Sequence, residues 1–209
     1  MYFTTEGVIL KKSNFGEADR LLTIFTRDHG KITCIAKGAR RPRSKKAGHI
    51  ELGNWCKLFV AQGKNIDLLT EVQLKRAFGI SEFNEEKANQ IYHLLEIVEN
   101  LTATHQKNRE VFILLVHYLK KITSEENFNL VSGVFKIKLL STLGFFSSST
   151  LKDSNTKKTL EFLENNDFDK VKEKILLSRQ SYLNLLAFLD SMIENLAQSK
   201  LKTARFLQI

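Results

Sequence analysis

Proline is almost absent from this chain: Pro42 is the only one in 209 residues. Cysteine occurs twice, at Cys34 and Cys56, without any Cys-x-x-Cys, so thiolates cannot build a zinc site here. Both cysteines sit in apolar, strand-like runs, which predicts two buried thiols in a reducing cytosol. Long hydrophobic runs are missing as well. The longest, such as Val111 to Val116, is far too short to span a bilayer, so no membrane role is expected. Glu6, Lys11 and Lys12 interrupt the start, so no signal peptide is expected and the location reads as cytoplasmic. There is no phosphate-binding glycine loop of the Walker type, and the serines at 147 to 149 lack a nucleophile-elbow pattern. The histidines (His29, His49, His93, His105, His117) are scattered, and Glu17 and Asp19 beside Arg20 have no third carboxylate at metal spacing. These absences point to a binding protein that is not an enzyme and uses no cofactor.

One absence is local. From Ile35 to Ile50 (IAKGARRPRSKKAGHI) there is no acid, and the ten residues from Lys37 to Lys46 hold six cations: Lys37, Arg40, Arg41, Arg43, Lys45 and Lys46. The imbalance is regional too. Residues 1–78 carry 15 Lys/Arg against 7 Asp/Glu, while the rest carries 17 against 16. Nearly all of the formal net charge of +9 therefore decorates the first third.

That first third is rich in strand formers. FTTEGVILKK (residues 3–12) predicts a first strand, and Ser13-Asn14-Phe15-Gly16 is turn chemistry. Residues 18–26, 31–36, 55–62 and 67–75 predict four more strands, with the cationic loop between the third and fourth. Five short strands with one long loop fit a five-stranded OB-fold barrel, with an SH3-like barrel as the alternative on periodicity alone. After Gly79 the apolar period changes to that of a helix. Asn84-Glu85-Glu86 reads as a helix start, with Ala88, Ile91, Leu95, Val98 and Leu101 on one face. A second helix is expected over 109–122, with Val111, Leu114, Leu115 and Tyr118 inward. The spacing Thr123-Ser124-Glu125-Glu126 suggests a capping box for a third helix, carrying Val131, Phe135, Leu139 and Leu143 and stopping at Gly144. After a polar loop over 145–155, shorter helices are expected near 156–164 and 168–177. A last one is expected over 180–198, with Leu183, Leu186, Leu189, Ile193 and Leu196. The fold class is α+β and multidomain: an OB-fold nucleic-acid-binding domain over 1–79 and an all-α domain over 80–209, packed together.

Unpaired like charges repel unless an anion is present, and the planar arginine fork suits phosphate oxygens. The loop is therefore the expected contact for a nucleic-acid backbone. Lys11, Lys12, Arg20 and Lys57 are candidates to extend it, with Arg27, Lys31 and Lys64 behind them. Phe15, Trp55 and Phe59 are candidates for base stacking, although a small barrel also needs large core residues. Lys136 and Lys138, beside Ile137 and Leu139, could receive an acidic, apolar peptide. An RNA-binding or ribosome-associated barrel, or an adaptor for acidic peptides, would account for the same charges.

The run from residue 7 to 48 closely resembles the opening of RecO-type bacterial recombination mediators. The resemblance is carried by Gly16-Glu17-Ala18-Asp19, by Leu22 through Gly30, and by Gly38-Ala39-Arg40-Arg41. FKIKLLSTLGF (residues 135–145) and LKTARFL (residues 201–207) are similar to later stretches of that family. The resemblance implies an N-terminal OB-fold, a C-terminal helical domain and binding of single- and double-stranded DNA. It also implies annealing of strands in repair and recombination by the RecF pathway, and a location near the nucleoid. Its implied partners are RecR, the acidic tail of the single-stranded DNA-binding protein and, indirectly, RecA. In one respect the chain departs from the pattern. Many members carry a four-cysteine zinc site after the Leu-Gly-Phe segment, and Phe146 to Phe162 contains no cysteine. No metal is expected, and packing must supply the support that zinc gives elsewhere.

Overall fold

A computed structural model of the chain describes residues 1–78, 84–148, 154–175 and 178–207. The expected boundary at Gly79, and Ser149 of the serine run, lie outside the described residues. Strands β1 (Tyr2–Phe15), β2 (Asp19–Thr26), β3 (Gly30–Ala36), β4 (Trp55–Ala61) and β5 (Asp67–Arg76) close into a barrel in the order β1-β2-β3-β5-β4. β3 and β5 pair in parallel, through Cys34↔Asp67 and Ile35↔Leu68, and the other pairs are antiparallel. That order is the OB arrangement and excludes the SH3-like alternative.

β1 is longer than its periodicity indicates, because it serves two neighbours. Its first half pairs with β4 (Tyr2↔Ala61 to Val8↔Trp55) and its second half with β2, ending at Phe15↔Asp19. Ser13 and Asn14 therefore lie within the strand, and the turn is made by residues 16–18. Gly7 stands where the two pairings overlap. A Cβ there would lie 2.7 Å from Ile24 and 2.8 Å from Leu58, so any larger residue would force these core side chains to shift. Ile9, Leu22, Ile24, Ile32, Cys34, Cys56, Leu58, Val60 and Leu69 fill the barrel. Burial pushes both thiols, Cys34 and Cys56, up to about 12, which leaves them protonated and inert.

The helices are α1 (Glu85–Leu101), α2 (Arg109–Ser124), α3 (Phe128–Thr142), α4 (Ser154–Asn165), α5 (Phe168–Lys174) and α6 (Arg179–Ala197). Asn84 caps α1 as expected, accepting from Lys87 N–H. The capping box at 123–126 does not form. α2 runs on through Ser124, whose hydroxyl, like that of Thr123, turns back to the Lys120 carbonyl. Asn127 caps α3 instead, accepting from Leu130 N–H at 3.1 Å. A side-chain amide one residue before the helix reaches the free N–H groups without shortening α2. Gly144 ends α3 as expected, with Phe145 N–H on the Leu140 carbonyl and Gly144 N–H on that of Ser141, both at 2.9 Å. In α6, Leu186, Leu189 and Ile193 are buried, but Leu196 is 40% exposed because the apolar face ends one turn earlier.

Barrel and helices share one core. Val8 and Leu10 of β1 and Phe25 of β2 point out of the barrel into the cluster that contains Phe78, Ile91, Leu95, Leu115 and Phe135. Two polar hubs complete the helical part. The Glu96 carboxylate accepts from the backbone N–H groups of Lys202 (2.8 Å) and Thr203 (2.9 Å), which docks LKTARFL onto α1. Glu164 accepts from the Ser141 hydroxyl (2.7 Å) and from Ser148 N–H (3.1 Å), tying the segment after α3 to α4. Hydrogen bonds, and not packing alone, thus hold the segment after α3. The residues present do not fit zinc: both cysteines lie in the barrel core, and no group of three His, Cys, Asp or Glu is gathered for a metal among the described residues.

His93 on α1 is fully buried, with Nδ1 2.8 Å from the Thr203 hydroxyl. That hydroxyl donates to Glu96, so the imidazole donates from Nδ1 and leaves Nε2 without a partner among the described residues. Burial, then the charge of Lys136, hold this histidine well below 6.5. The unfolded chain takes up a proton near 6.5 that the folded chain refuses. Stability is therefore full above that pH and falls as pH drops below it, by at most about 1.4 kcal/mol per unit. His117, whose pKa is also lowered, by burial and then by Lys121, adds in the same direction. Urea midpoints at pH 7.5, 6 and 5 should decline in the parent chain and decline less in His93→Gln. Parallel declines would show that His93 is not the source.

Candidate nucleic-acid interface

The cationic segment leaves β3 at Ala36 and returns to β4 at Trp55. It is not a free loop. Gly38, at φ 66°, turns its N–H onto Asp19 Oδ1 at 2.7 Å. Arg40 N–H bonds the Ala18 carbonyl at 2.8 Å, and the Arg40 guanidinium reaches the carbonyls of Gly16 (3.2 Å) and Glu17 (3.1 Å). Gly16-Glu17-Ala18-Asp19 and Gly38-Ala39-Arg40-Arg41 are thus the two halves of one junction. Further along, a 3₁₀ turn (Ala47–Ile50) drops Ile50 into the barrel core beside Ala39. Asn54 holds the Gly48 and His49 carbonyls at 3.1 Å each. Lys46 Nζ bonds the Leu69 carbonyl of β5 at 2.9 Å.

The junction sorts the six cations. Lys37, Arg40, Arg41, Arg43 and Lys45 are exposed, and Lys46 is half-buried as a strut. None of the six forms an ion pair among the described residues. Asp19, the acid brought beside the loop, is occupied by Gly38 N–H. The sequence contained the signal for this junction, in the Asp19 carboxylate and the Arg40 fork, but not the pairing between them.

The other candidates divide. Arg20 lies beside the junction, opposite Ala36 of β3, and bonds Asn14. Lys12 pairs with Glu51, and Lys11 pairs with Glu99 of α1 at 2.9 Å. Lys57 is exposed on a different wall, between Glu6 of β1 and Gln73 of β5. Phe15 is 45% exposed at the hairpin tip. Trp55 sits at the seam with the helices, under Lys75 (4.4 Å) and Lys120 (5.1 Å), and its indole N–H bonds Glu6 at 3.2 Å.

Lys136 is not the surface cation that its sequence context indicated. Its side chain is 2% exposed and its ammonium lies 2.6 Å from Asp190 of α6. Burial lowers its pKa, and Asp190 opposes that shift. α3 is apolar on nearly all sides and runs through the middle of the helical domain, so its lysine is enclosed and its charge must be matched internally. Lys138 is half-buried and donates to the Glu164 carbonyl at 3.0 Å. A cleft that sequence reasoning missed lies between barrel and α2, about 320 Å³ in volume. It is lined by the cations Arg27, Arg109 and Lys120, by Phe112, Ile113 and Trp55, and by Glu6. No single stretch of sequence contains it, since β1, the turn after β2, β4 and α2 each supply part.

Two family descriptions match the chain: recombination protein O N terminal over residues 1–78, and recombination protein O C terminal over residues 90–150. Similar curated proteins bear the name DNA repair protein RecO. That of Acetivibrio thermocellus is 30% identical over 158 residues, which is 74% of this chain and 63% of the relative. That of Roseiflexus sp. is 32% identical over 143 residues, 68% of this chain and 50% of the relative. That of Moorella thermoacetica is 34% identical over 143 residues, 68% of this chain and 53% of the relative. The chain thus spans between half and two thirds of the length of these relatives. No helix among the described residues is long and apolar enough to cross a membrane.

Proposed function

The chain belongs to the recombination protein O family, and from that premise we propose that it is a DNA-repair mediator that grips the sugar-phosphate backbone and performs no catalysis. The observation that carries this reading is the junction. Five exposed cations are held on a loop bonded at several points to the barrel, with no ion pair among the described residues to neutralise them. A rigid cationic surface of this kind binds phosphate without ordering a tail first, and it is indifferent to base sequence. It would serve single and double strands alike, and two strands held this way are positioned for annealing. In this reading residues 1–79 form the DNA-binding unit and 80–209 the helical one, acting near the nucleoid with RecR and helping to load RecA. The acidic tail of the single-stranded DNA-binding protein would lie in the cleft of Arg27, Arg109 and Lys120, since Lys136 is enclosed. Three cations beside Phe112 and Ile113 fit acids followed by apolar residues, with the one lining acid, Glu6, held by Trp55 and Lys75.

Anisotropy titrations with single-stranded DNA, duplex DNA and RNA of one length, over a salt series, test the reading. About four neutralised phosphates give a slope of log K against log salt of roughly −3 on single strands. A slope near zero overturns it. A strong preference for RNA would favour a ribosome-associated or RNA-binding barrel instead.

A further inference from the structure

We propose that the outer wall of β1 and β4 is a stacking platform for unpaired bases of single-stranded DNA, made by Tyr2 and Phe59 with Lys57 beside them. This rests on the reading that the barrel binds DNA, and it adds which wall receives the bases. On β1, Thr5, Gly7 and Ile9 face the barrel core, so Tyr2, Thr4 and Glu6 face outward. On β4, Cys56, Leu58 and Val60 face the core, so Lys57, Phe59 and Ala61 face outward. The register sets Tyr2 opposite Ala61 and Thr4 opposite Phe59, which makes Tyr2 and Phe59 diagonal neighbours on one face. Both line a concavity of about 440 Å³ together with Thr4, Thr70 and Glu71.

Tyr2 is 78% exposed, yet its backbone is fixed in the ladder, and Gln62 N–H bonds the Met1 carbonyl at 2.8 Å. An exposed aromatic on a fixed backbone presents its ring at little entropic cost. The wall of β2 and β3 does not offer this. The outward residues of β2 and β3 are Leu21, Thr23, Phe25, Lys31, Thr33 and Ile35, and their one aromatic, Phe25, is fully buried under the helices. The charges beside the platform are ordered as well. Lys57 Nζ lies over one face of the Phe59 ring, 5.3 Å from its centroid, and Glu71 stands opposite Phe59 on β5. A base stacks on Tyr2 and on the face of Phe59 away from Lys57, whose ammonium then meets a phosphate while Glu71 repels one.

The test compares the parent chain with Tyr2→Ala/Phe59→Leu, which keeps apolar volume at the half-buried position but removes both π faces. Affinity for oligo(dT) should fall roughly tenfold or more, in line with base–aromatic stacking, while affinity for a duplex of equal length stays within about twofold. The salt slope on oligo(dT) should be unchanged, since stacking releases no counterions. Tyr2→Trp/Phe59→Trp should restore binding, and its fluorescence should be quenched by oligo(dT). Unchanged oligo(dT) affinity overturns the platform, as does an equal loss on both substrates. Neither result touches the backbone-gripping reading if the parent chain keeps its salt-dependent binding. A parent chain that binds neither substrate overturns both.

Discussion

Reversing Lys37, Arg41 and Arg43 to glutamate should weaken DNA binding by about a hundredfold or more at low salt and cut the slope of log K against log salt on single strands from roughly −3 to roughly −0.7. These three cations are exposed, and no hydrogen bond ties their side chains to the barrel among the described residues. Reversal therefore exchanges three phosphate attractions for three repulsions without touching the junction. Arg40 is left alone deliberately, because its guanidinium holds the Gly16 and Glu17 carbonyls and its loss would loosen the hairpin as well as the charge. Circular dichroism and the urea midpoint of the triple variant should match the parent. Unchanged affinity would mean that the phosphate track lies elsewhere on the surface. Arg40→Ala is the informative contrast, since it should lower stability and affinity together.

Asp190→Ala should be among the most destabilising single substitutions in the helical domain. It leaves the Lys136 ammonium, 2% exposed, without its partner 2.6 Å away. An uncompensated buried charge costs about 3–5 kcal/mol, which for a chain of this size lowers the melting temperature by roughly 6–20 °C. The effect should be asymmetric. Lys136→Met removes the buried charge and leaves Asp190, 22% exposed, partly in water, so it should cost much less. Lys136→Met combined with Asp190→Leu should recover most of the loss, because an apolar pair of similar volume replaces the ion pair. Thermal melts of the three variants decide it. Equal losses for Asp190→Ala and Lys136→Met would show that the pair is not enclosed in solution.

Much of the architecture is legible in the residues alone. Period-two alternation in residues 18–36 and 55–75 marks four strands to within a residue or so, because each side chain that faces the barrel core must be apolar and its neighbour must not. Asn84 and Gly144 mark helix ends because capping is chemistry between near neighbours. Other positions have the opposite character. Ser13 and Asn14 are strand residues because β2 pairs with them, against their own preference for turns. Thr123 and Ser124 match a capping box by spacing, while the length of α2 depends on what packs beneath it. Lys136 carries a charge, and nothing local says that Asp190, more than fifty residues away, will enclose it.

The kind of fold, the placing of nearly all excess positive charge on the first module, and the lack of cysteine from Phe146 to Phe162 were all set by the sequence unaided. Composition, periodicity and short-range capping are local properties, and they survive without knowledge of contacts. Only the tertiary structure decided which of those charges are free. Lys46 and Arg40 became struts, Lys11 and Lys12 found acids, and Lys37, Arg41, Arg43 and Lys45 were left facing solvent. It also decided which wall of the barrel stays open, by laying the helices over Val8, Leu10 and Phe25 and leaving Tyr2 and Phe59 uncovered. Both decisions rest on pairings between distant segments, and the energy of a charge or a ring depends on what those pairings bring against it.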